Sequence, residues 1–233
     1  DGKSHLLSAN LHFARMLRHS ERLGLVLPEN FSLKIFEKLI SLSPVGEPVT
    51  GDDQAPFVIR VGIDKAGVIS LTPRVNGAWP DELSAISLAA PKWDSSVRGD
   101  WQQYFEAREA AKEFGADISL LFDEEILVDG DRCMPVILDA DGIAYHPRPS
   151  EGALDSVTLE QIRAGIEAAG IPIRPARLTI PLILRAKEMI VLGSGMGVQA
   201  LASIDGRQIG QPRGRLFQAA RDSWFVRLEC AWQ

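Results

Sequence analysis

Leu7, Leu11, Ala14 and Leu17 recur at helical spacing between Ser8 and about Leu23, while Arg15, Arg18 and Arg22 fall on another face. This pattern predicts an amphipathic helix, stopped by Gly24, with Pro28 placed where a second helix can begin. The second helix is predicted from Phe31 to Leu42, through Leu33, Phe36, Leu39 and Ile40, and ends before Pro44. The period then shifts to two. Phe57–Ile63 and Gly67–Leu71 read as strands around a turn at Asp64-Lys65-Ala66-Gly67. Thr72 to Glu82, with Pro73, Gly77 and Pro80, reads as a linker.

Beyond the linker the pattern gives a strand (Ala85–Ala90), an irregular stretch (Pro91–Gly99) and a helix from about Asp100 to Phe114, closed by Gly115. Four short strands follow, Ile118–Phe122, Ile126–Val128, Met134–Leu138 and Ile143–Tyr145, with Asp- and Gly-built turns that predict a β-meander. Asp155 or Ser156 caps a helix that runs to Gly170, with Pro172 just outside it. The reading ends with a strand (Met189–Leu192), a glycine loop, another strand and the hairpin turn Ile204-Asp205-Gly206-Arg207. The expected fold is mixed α/β (α+β) in two parts: residues 1–74 as a small α+β domain and 83–233 as a larger β-rich domain.

Composition narrows the function classes. The 233 residues correspond to about one and a half domains at ~150 residues each. With 45% hydrophobic and 24% charged residues the chain is not broadly disordered. A net charge of −6 argues against a broad grip on nucleic acid or anionic lipid. No apolar run reaches the ~18 residues of a spanning helix, so no membrane partner is expected. Cys133 and Cys230 form no zinc pattern and fit a reducing, cytoplasmic setting. The chain opens at Asp1 with neither methionine nor a signal-like segment, so it is expected either to be processed or to begin further upstream.

Two places could seat an anion. Gly193-Ser194-Gly195-Met196-Gly197 follows an apolar strand, where backbone amides can converge. No Lys-Ser/Thr follows as in a Walker loop, and Val198 breaks the dinucleotide fingerprint, so alone the loop reads as a tight turn. Asp155-Ser156-Val157-Thr158 offers free amides at a helix start. His5, His12 and His19 stand seven apart; that is about 10.5 Å of helix, too far to share a metal, so they read as surface histidines. Asp129-Gly130-Asp131 and Asp139-Ala140-Asp141-Gly142 lack the calcium-loop pattern and read as hairpin turns. No metal is expected, and no Gly-x-Ser-x-Gly elbow supports a hydrolase.

Three stretches together resemble the fold-type IV pyridoxal-phosphate enzymes, a group that includes branched-chain and D-amino-acid aminotransferases and aminodeoxychorismate lyase. His12-Phe13-Ala14-Arg15-Met16, running into Arg18 to Gly24, is similar to the family's His-Leu-x-Arg-Leu helix, whose arginine holds the cofactor phosphate. Ala107 to Asp123 resembles the AKREAxxxGADEALLLD stretch. Val191 to Gly210 resembles LTGTAAGVxPVxxIDGRxIG, whose threonine after the first glycine also binds phosphate. Gly152 to Thr158 is similar to the helix start that forms a further phosphate seat. The resemblance runs from about Leu6 to Pro212 and implies that family's two-domain architecture, with a small N-terminal α+β domain and a larger β-rich C-terminal one. It makes Arg15, Val157, Thr158, Ser194 and Gly195 a phosphate cup for pyridoxal phosphate, and it aligns Asp129 with the family's ring-nitrogen Glu. It also implies an amino-acid-like or small anionic substrate and a homodimer.

The sequence departs from the pattern at the catalytic lysine. Counting from either flank puts the Schiff-base position within Val97-Arg98-Gly99-Asp100, where there is no lysine; Lys92 is the nearest amine. Arginine stays protonated and is no amine nucleophile. Met134 stands at the family's Asn, and the family's opening strands have no counterpart before Asp1. Three readings stay open: a pyridoxal-phosphate protein with a displaced amine such as Lys92 or a non-covalently held cofactor; a cofactor-independent homologue that binds or converts another anionic ligand; and a non-catalytic dimeric interaction protein.

Overall fold

The computed structural model describes residues 6–41, 58–74, 78–91 and 101–230. The chain divides into two compact units, residues 1–78 with 227–233 and residues 79–226. In the first unit, α1 (Ala9–Arg22) and α2 (Leu33–Ser41) precede an antiparallel hairpin of β1 (Val58–Ile63) and β2 (Ile69–Arg74). The hairpin turn forms because Asp64 Oδ1 accepts the amides of Ala66 at 2.8 Å and Val68 at 2.9 Å. β2 runs on through Pro73 to Arg74, where a linker was expected, with Pro73 in register with Ile59. Phe36 and Ile40 of α2 are buried with Ala9 of α1, and Phe13 packs its ring 5.6 Å from both Phe31 and Phe36.

The second unit contains β3 (Glu82–Ala89), α3 (Gln102–Glu113), β4 (Ile118–Asp123), β5 (Ile126–Gly130), β6 (Met134–Leu138), β7 (Ala144–Pro147) and α4 (Val157–Ala168). It continues with β8 (Ile173–Ala176), β9 (Leu178–Thr179), α5 (Ile180–Leu184), β10 (Glu188–Gly193), β11 (Gly197–Ile204), β12 (Arg207–Gln208) and α6 (Arg215–Cys230), whose residues from Arg227 onward are grouped with the first unit. One mixed sheet takes the order β8-β7-β6-β10-β11-β3-β4-β5-β9, with β12 paired to β11.

The predicted β-meander is therefore split. β6 already uses both edges on β7 and β10, and β5 uses both on β4 and β9, so these two strands form no ladder. They are still consecutive in the chain. Five strand spacings would put them about 24 Å apart in a flat sheet, yet the four steps from Gly130 to Met134 reach only about 14 Å. The sheet of this unit must curl on itself. Its inner face buries Leu83, Ile118, Leu120, Leu127, Ile137, Met189, Val191 and Leu201. Leu121, on the other face of β4, packs with Val128 against Tyr104 and Ala107 of α3.

Two aspartates fix β3 among its neighbours. Asp117 Oδ2 accepts the amide of Ser84 at 2.7 Å and its hydroxyl at 2.9 Å. Asp205 holds Ser87 with both oxygens: Oδ1 accepts the amide at 2.8 Å and Oδ2 the hydroxyl at 2.5 Å. At the other end, Glu188 is 2% exposed and accepts the amides of Leu216 at 2.8 Å and Phe217 at 2.7 Å, closing the start of α6. Among the described residues no helix is long and apolar enough to cross a membrane.

Candidate anion-binding site

The site is built around the turn that joins β5 to β6. Asp129 ends β5 only 3% exposed; its Oδ1 accepts the Gly130 amide at 2.9 Å and its Oδ2 accepts the Leu154 amide at 3.1 Å. The second bond holds the segment that leads into α4. Two residues on, Ser156 takes the cap position: its Oγ accepts the amide of Leu159 at 3.2 Å. Val157 and Thr158 are buried by their side chains, which anchors the first turn. Their amides are the first two of the helix and donate to no described residue. They carry the positive end of a twelve-residue helix.

The glycine loop is a hairpin turn of three residues, Ser194-Gly195-Met196, between paired Gly193 and Gly197. The Met196 amide closes it on the Gly193 carbonyl at 3.2 Å. Gly197 has φ +66, and a Cβ there would lie 2.7 Å from the indole nitrogen of Trp224, so both backbone and space require glycine. Met196 is buried, whereas Ser194 and Gly195 are half-buried, and the Ser194 hydroxyl makes no hydrogen bond among the described residues. The hairpin rests on the same β5–β6 turn: a Cβ on Gly193 would come within 3.0 Å of the Arg132 carbonyl. α4 packs on β10, the strand that enters this hairpin. One turn thus carries both seats, α4 through Asp129 and the glycine hairpin through Arg132.

Next to it lies an ion cluster that the sequence pattern does not single out. Asp131 is fully buried, with Arg108 at 3.4 Å and Arg132 at 3.5 Å from its Oδ2, while its Oδ1 has no partner. Burial pushes the Asp131 carboxyl upward against the pull of the two guanidinium groups. Arg132 donates from Nη2 to the Asp117 carbonyl at 2.7 Å and lies over the Trp79 ring at 4.7 Å. The only signal in the sequence is Asp131 within a motif that reads as an ordinary turn. The turn is real, but both of its carboxylates are interior.

The expected site residues are spread over both units. Val157, Thr158, Ser194, Gly195 and Asp129 belong to the second unit and are tied to one turn; Arg15 lies on α1 in the first. Lys92 and the window Val97, Arg98, Gly99 and Asp100 lie outside the described residues. His12 corrects the surface-histidine expectation. It is half-buried, and burial, with Arg15 adding repulsion, pushes its pKa down to about 4. Among the described residues no group of three or more His, Cys, Asp or Glu could hold a metal ion.

Pyridoxal phosphate, the cofactor that the resemblance implies, fits this site at one end. Two open amides and a free hydroxyl suit a phosphate ester, and the buried Asp129 carboxylate is one methylene shorter than a Glu. The window 97–100 has no lysine for the aldehyde.

The family model for amino-transferase class IV matches residues 3–204. No curated protein matches the chain. Among solved structures, the branched-chain aminotransferase of Thermoproteus uzoniensis with norvaline is similar at TM-score 0.75 and 18% identity, over 97% of this chain and 80% of that one. A Legionella pneumophila protein, provisionally assigned as 4-amino-4-deoxychorismate lyase, is similar at TM-score 0.73 and 17% identity, over 96% and 85%. The branched-chain amino acid aminotransferase of T.th. with pyridoxamine 5′-phosphate gives TM-score 0.74 and 18% identity, over 97% and 79%. At these identities the likeness shows the fold.

Proposed function

The chain belongs to the class IV aminotransferase family, and from that premise we propose that it binds pyridoxal phosphate by its phosphate end without ordinary transaminase activity. The carrying observation is the pair of anion seats on one turn: the open amides of Val157 and Thr158, and the Ser194 hydroxyl beside Gly195. In this reading Asp129 faces the ring nitrogen. The T.th. relative, solved with pyridoxamine 5′-phosphate, supports this class of ligand. When bound, the cofactor supplies an aldehyde for amines and an electron-withdrawing ring. The chain's own residues bind and orient it; none in the window 97–100 can anchor it covalently. The substrate class is an amino acid or another small amine-bearing anion, and the working form is a cytoplasmic homodimer.

The test is an absorbance titration with pyridoxal phosphate, followed by borohydride reduction and peptide mass mapping. Saturable binding with no adduct at 97–100 supports the reading. No binding at millimolar cofactor overturns it. The lack of a lysine also favours a second reading, a cofactor-independent homologue whose cleft takes a different phosphate or carboxylate ligand. Inorganic phosphate or a small dicarboxylate that binds where pyridoxal phosphate does not would select it.

A further inference from the structure

We infer that Arg132 is a positioning residue of the cleft: together with Asp131 it fixes the β5–β6 turn whose carbonyl backs Gly193, and so sets where the Ser194-Gly195 turn stands. The ligand arm of this inference rests on the proposed phosphate seat; the structural arm does not.

The Arg132 side chain is held on three sides. Its guanidinium lies over Trp79 at 4.7 Å, donates to the Asp117 carbonyl at 2.7 Å and faces Asp131 Oδ2 at 3.5 Å. Stacking on a ring while donating within the guanidinium plane is something arginine does and lysine does not. Asp131 is in turn gripped by Arg108 of α3 at 3.4 Å and by its own amide, which donates to the Ser119 carbonyl at 3.0 Å. The turn itself is closed by the Gly130 amide on the Cys133 carbonyl at 2.9 Å. A Cβ on Gly130 would come 2.5 Å from the Cys133 sulfur, so the turn has no slack there.

The backbone of Arg132 transmits this fixation. Its carbonyl lies 3.0 Å from the place a Cβ on Gly193 would occupy, so the start of the glycine hairpin sits directly against it. The entry to α4 is held separately, by Asp129 on Leu154. The two seats therefore respond differently: loosening Arg132 frees the hairpin, and the helix start stays where Asp129 keeps it.

The test compares the full chain with Arg132→Met, Arg132→Lys and Ser194→Ala by amide hydrogen exchange and by calorimetric titration with pyridoxal 5′-phosphate. In Arg132→Met, exchange in peptides covering 190–198 speeds up at least about tenfold, the scale of one lost charge-assisted hydrogen bond, while peptides covering 154–160 exchange as in the parent. Its Kd for pyridoxal 5′-phosphate rises by a similar factor, and Arg132→Lys falls between the two. Unchanged exchange over 190–198, or equal acceleration over 154–160, overturns the inference. If the methionine variant does not fold, the same exchange comparison on Arg132→Lys decides. If the parent binds no cofactor, or Ser194→Ala binds it unchanged, the phosphate-seat reading fails, and the exchange data still decide the role of Arg132.

Discussion

The carboxylate of Asp129 accepts the backbone amide of Leu154 at 3.1 Å, locking the end of β5 to the entry of a helix that begins 28 residues later. Its other oxygen holds the Gly130 amide at 2.9 Å. Asp129, proposed above to face the ring nitrogen, is a structural clasp, and both of its oxygens carry a backbone hydrogen bond.

Asp129→Asn turns one acceptor into a donor that faces a backbone N–H, either that of Gly130 or that of Leu154. The expected loss of stability is about 1–3 kcal/mol, measured by urea denaturation. Asp129→Ala should loosen the start of α4 more than the glycine hairpin, because only the former is tied to this side chain. Hydrogen exchange over 154–160 compared with 190–198 measures the difference.

Ser156→Ala removes the cap on the Leu159 amide. The expected cost is about 1 kcal/mol, with Ser156→Asp close to the parent, since Asp caps equally well and adds negative charge at the helix start. The same Asp should weaken binding of any phosphate ester there through like-charge repulsion. Parent-like stability with poorer affinity would separate the two roles of this helix start in one variant.

Glu188→Ala strips the buried amides of Leu216 and Phe217 of their acceptor. With two charge-assisted bonds lost in a buried place, about 3 kcal/mol or more of stability should go. Gly214→Ala should harm the same joint by crowding, because a Cβ there falls 2.7 Å from Glu188 Oε2. If the two changes together are far less harmful than their separate costs added, they act on one contact.

Where local chemistry decides the outcome, the sequence is readable. Asp205-Gly206 reads as a hairpin turn, and both residues have positive φ, as the favoured two-residue turn requires. Asp64 and Asp139 act in their predicted turns through side-chain bonds to amides two and four residues on. Gly170 ends α4 at φ +76, with the Ile171 amide returning to the Ile166 carbonyl. Where distant partners decide, it is not. α6 shows only a narrow stripe of Leu216, Phe217, Ala220 and Trp224 among polar residues, and its start depends on Glu188 from a strand far back in the chain. β8, β9 and α5 are short, with a proline inside β8 and α5, and are held by neighbours rather than by their own pattern. In the candidate site, the capped helix start at Ser156 and the glycine hairpin at Gly193–Gly197 are visible as motifs. The Asp131–Arg132 cluster is not, because its meaning comes from Trp79, Arg108 and Asp117, which sequence spacing does not bring together.

Stability should fall with acidification through two histidines. His146 is buried, its Nδ1 3.0 Å from the Pro147 carbonyl and its Nε2 facing an Arg163 nitrogen at 3.2 Å. Arg163 can only donate, so Nε2 accepts and the ring is neutral. Burial, with the Arg163 charge, pushes the His146 pKa down against the Pro147 carbonyl; His12 is pushed to about 4. For a depressed histidine the unfolded chain takes its proton first, so stability is complete above about pH 6.5 and declines below it. Each histidine contributes at most about 1.4 kcal/mol per pH unit in that window. Asp131, with its carboxyl raised by burial, works the other way once it protonates. Urea midpoints between pH 7.5 and 4.5 should drop, and His146→Gln should flatten part of the slope. A flat profile in the parent would contradict the buried, neutral assignment.

The last prediction concerns positions 97–100, where the sequence has no lysine. A covalent link to the cofactor aldehyde needs a neutral amine within bonding reach, and Val97, Arg98, Gly99 and Asp100 provide none. The Arg98 guanidinium stays protonated at any physiological pH. With the cofactor held as proposed, these positions would supply no attached amine for a substrate amine to displace. Amino-group transfer should be absent or at the level of free pyridoxal phosphate in buffer, even when the cofactor is bound. Placing lysine at 97, 98, 99 and 100 in turn tests the geometry. One position should give a protein that turns yellow with pyridoxal phosphate, keeps the colour through gel filtration and carries the reduced adduct on the new lysine. The phosphate seat should matter equally in that variant, so adding Ser194→Ala should weaken retention of the colour. Four colourless variants would mean that the cleft does not hold the cofactor in the family's orientation. An adduct in the parent that maps to Lys92 would mean that a displaced amine has taken over the role, and transfer activity should then disappear in Lys92→Ala.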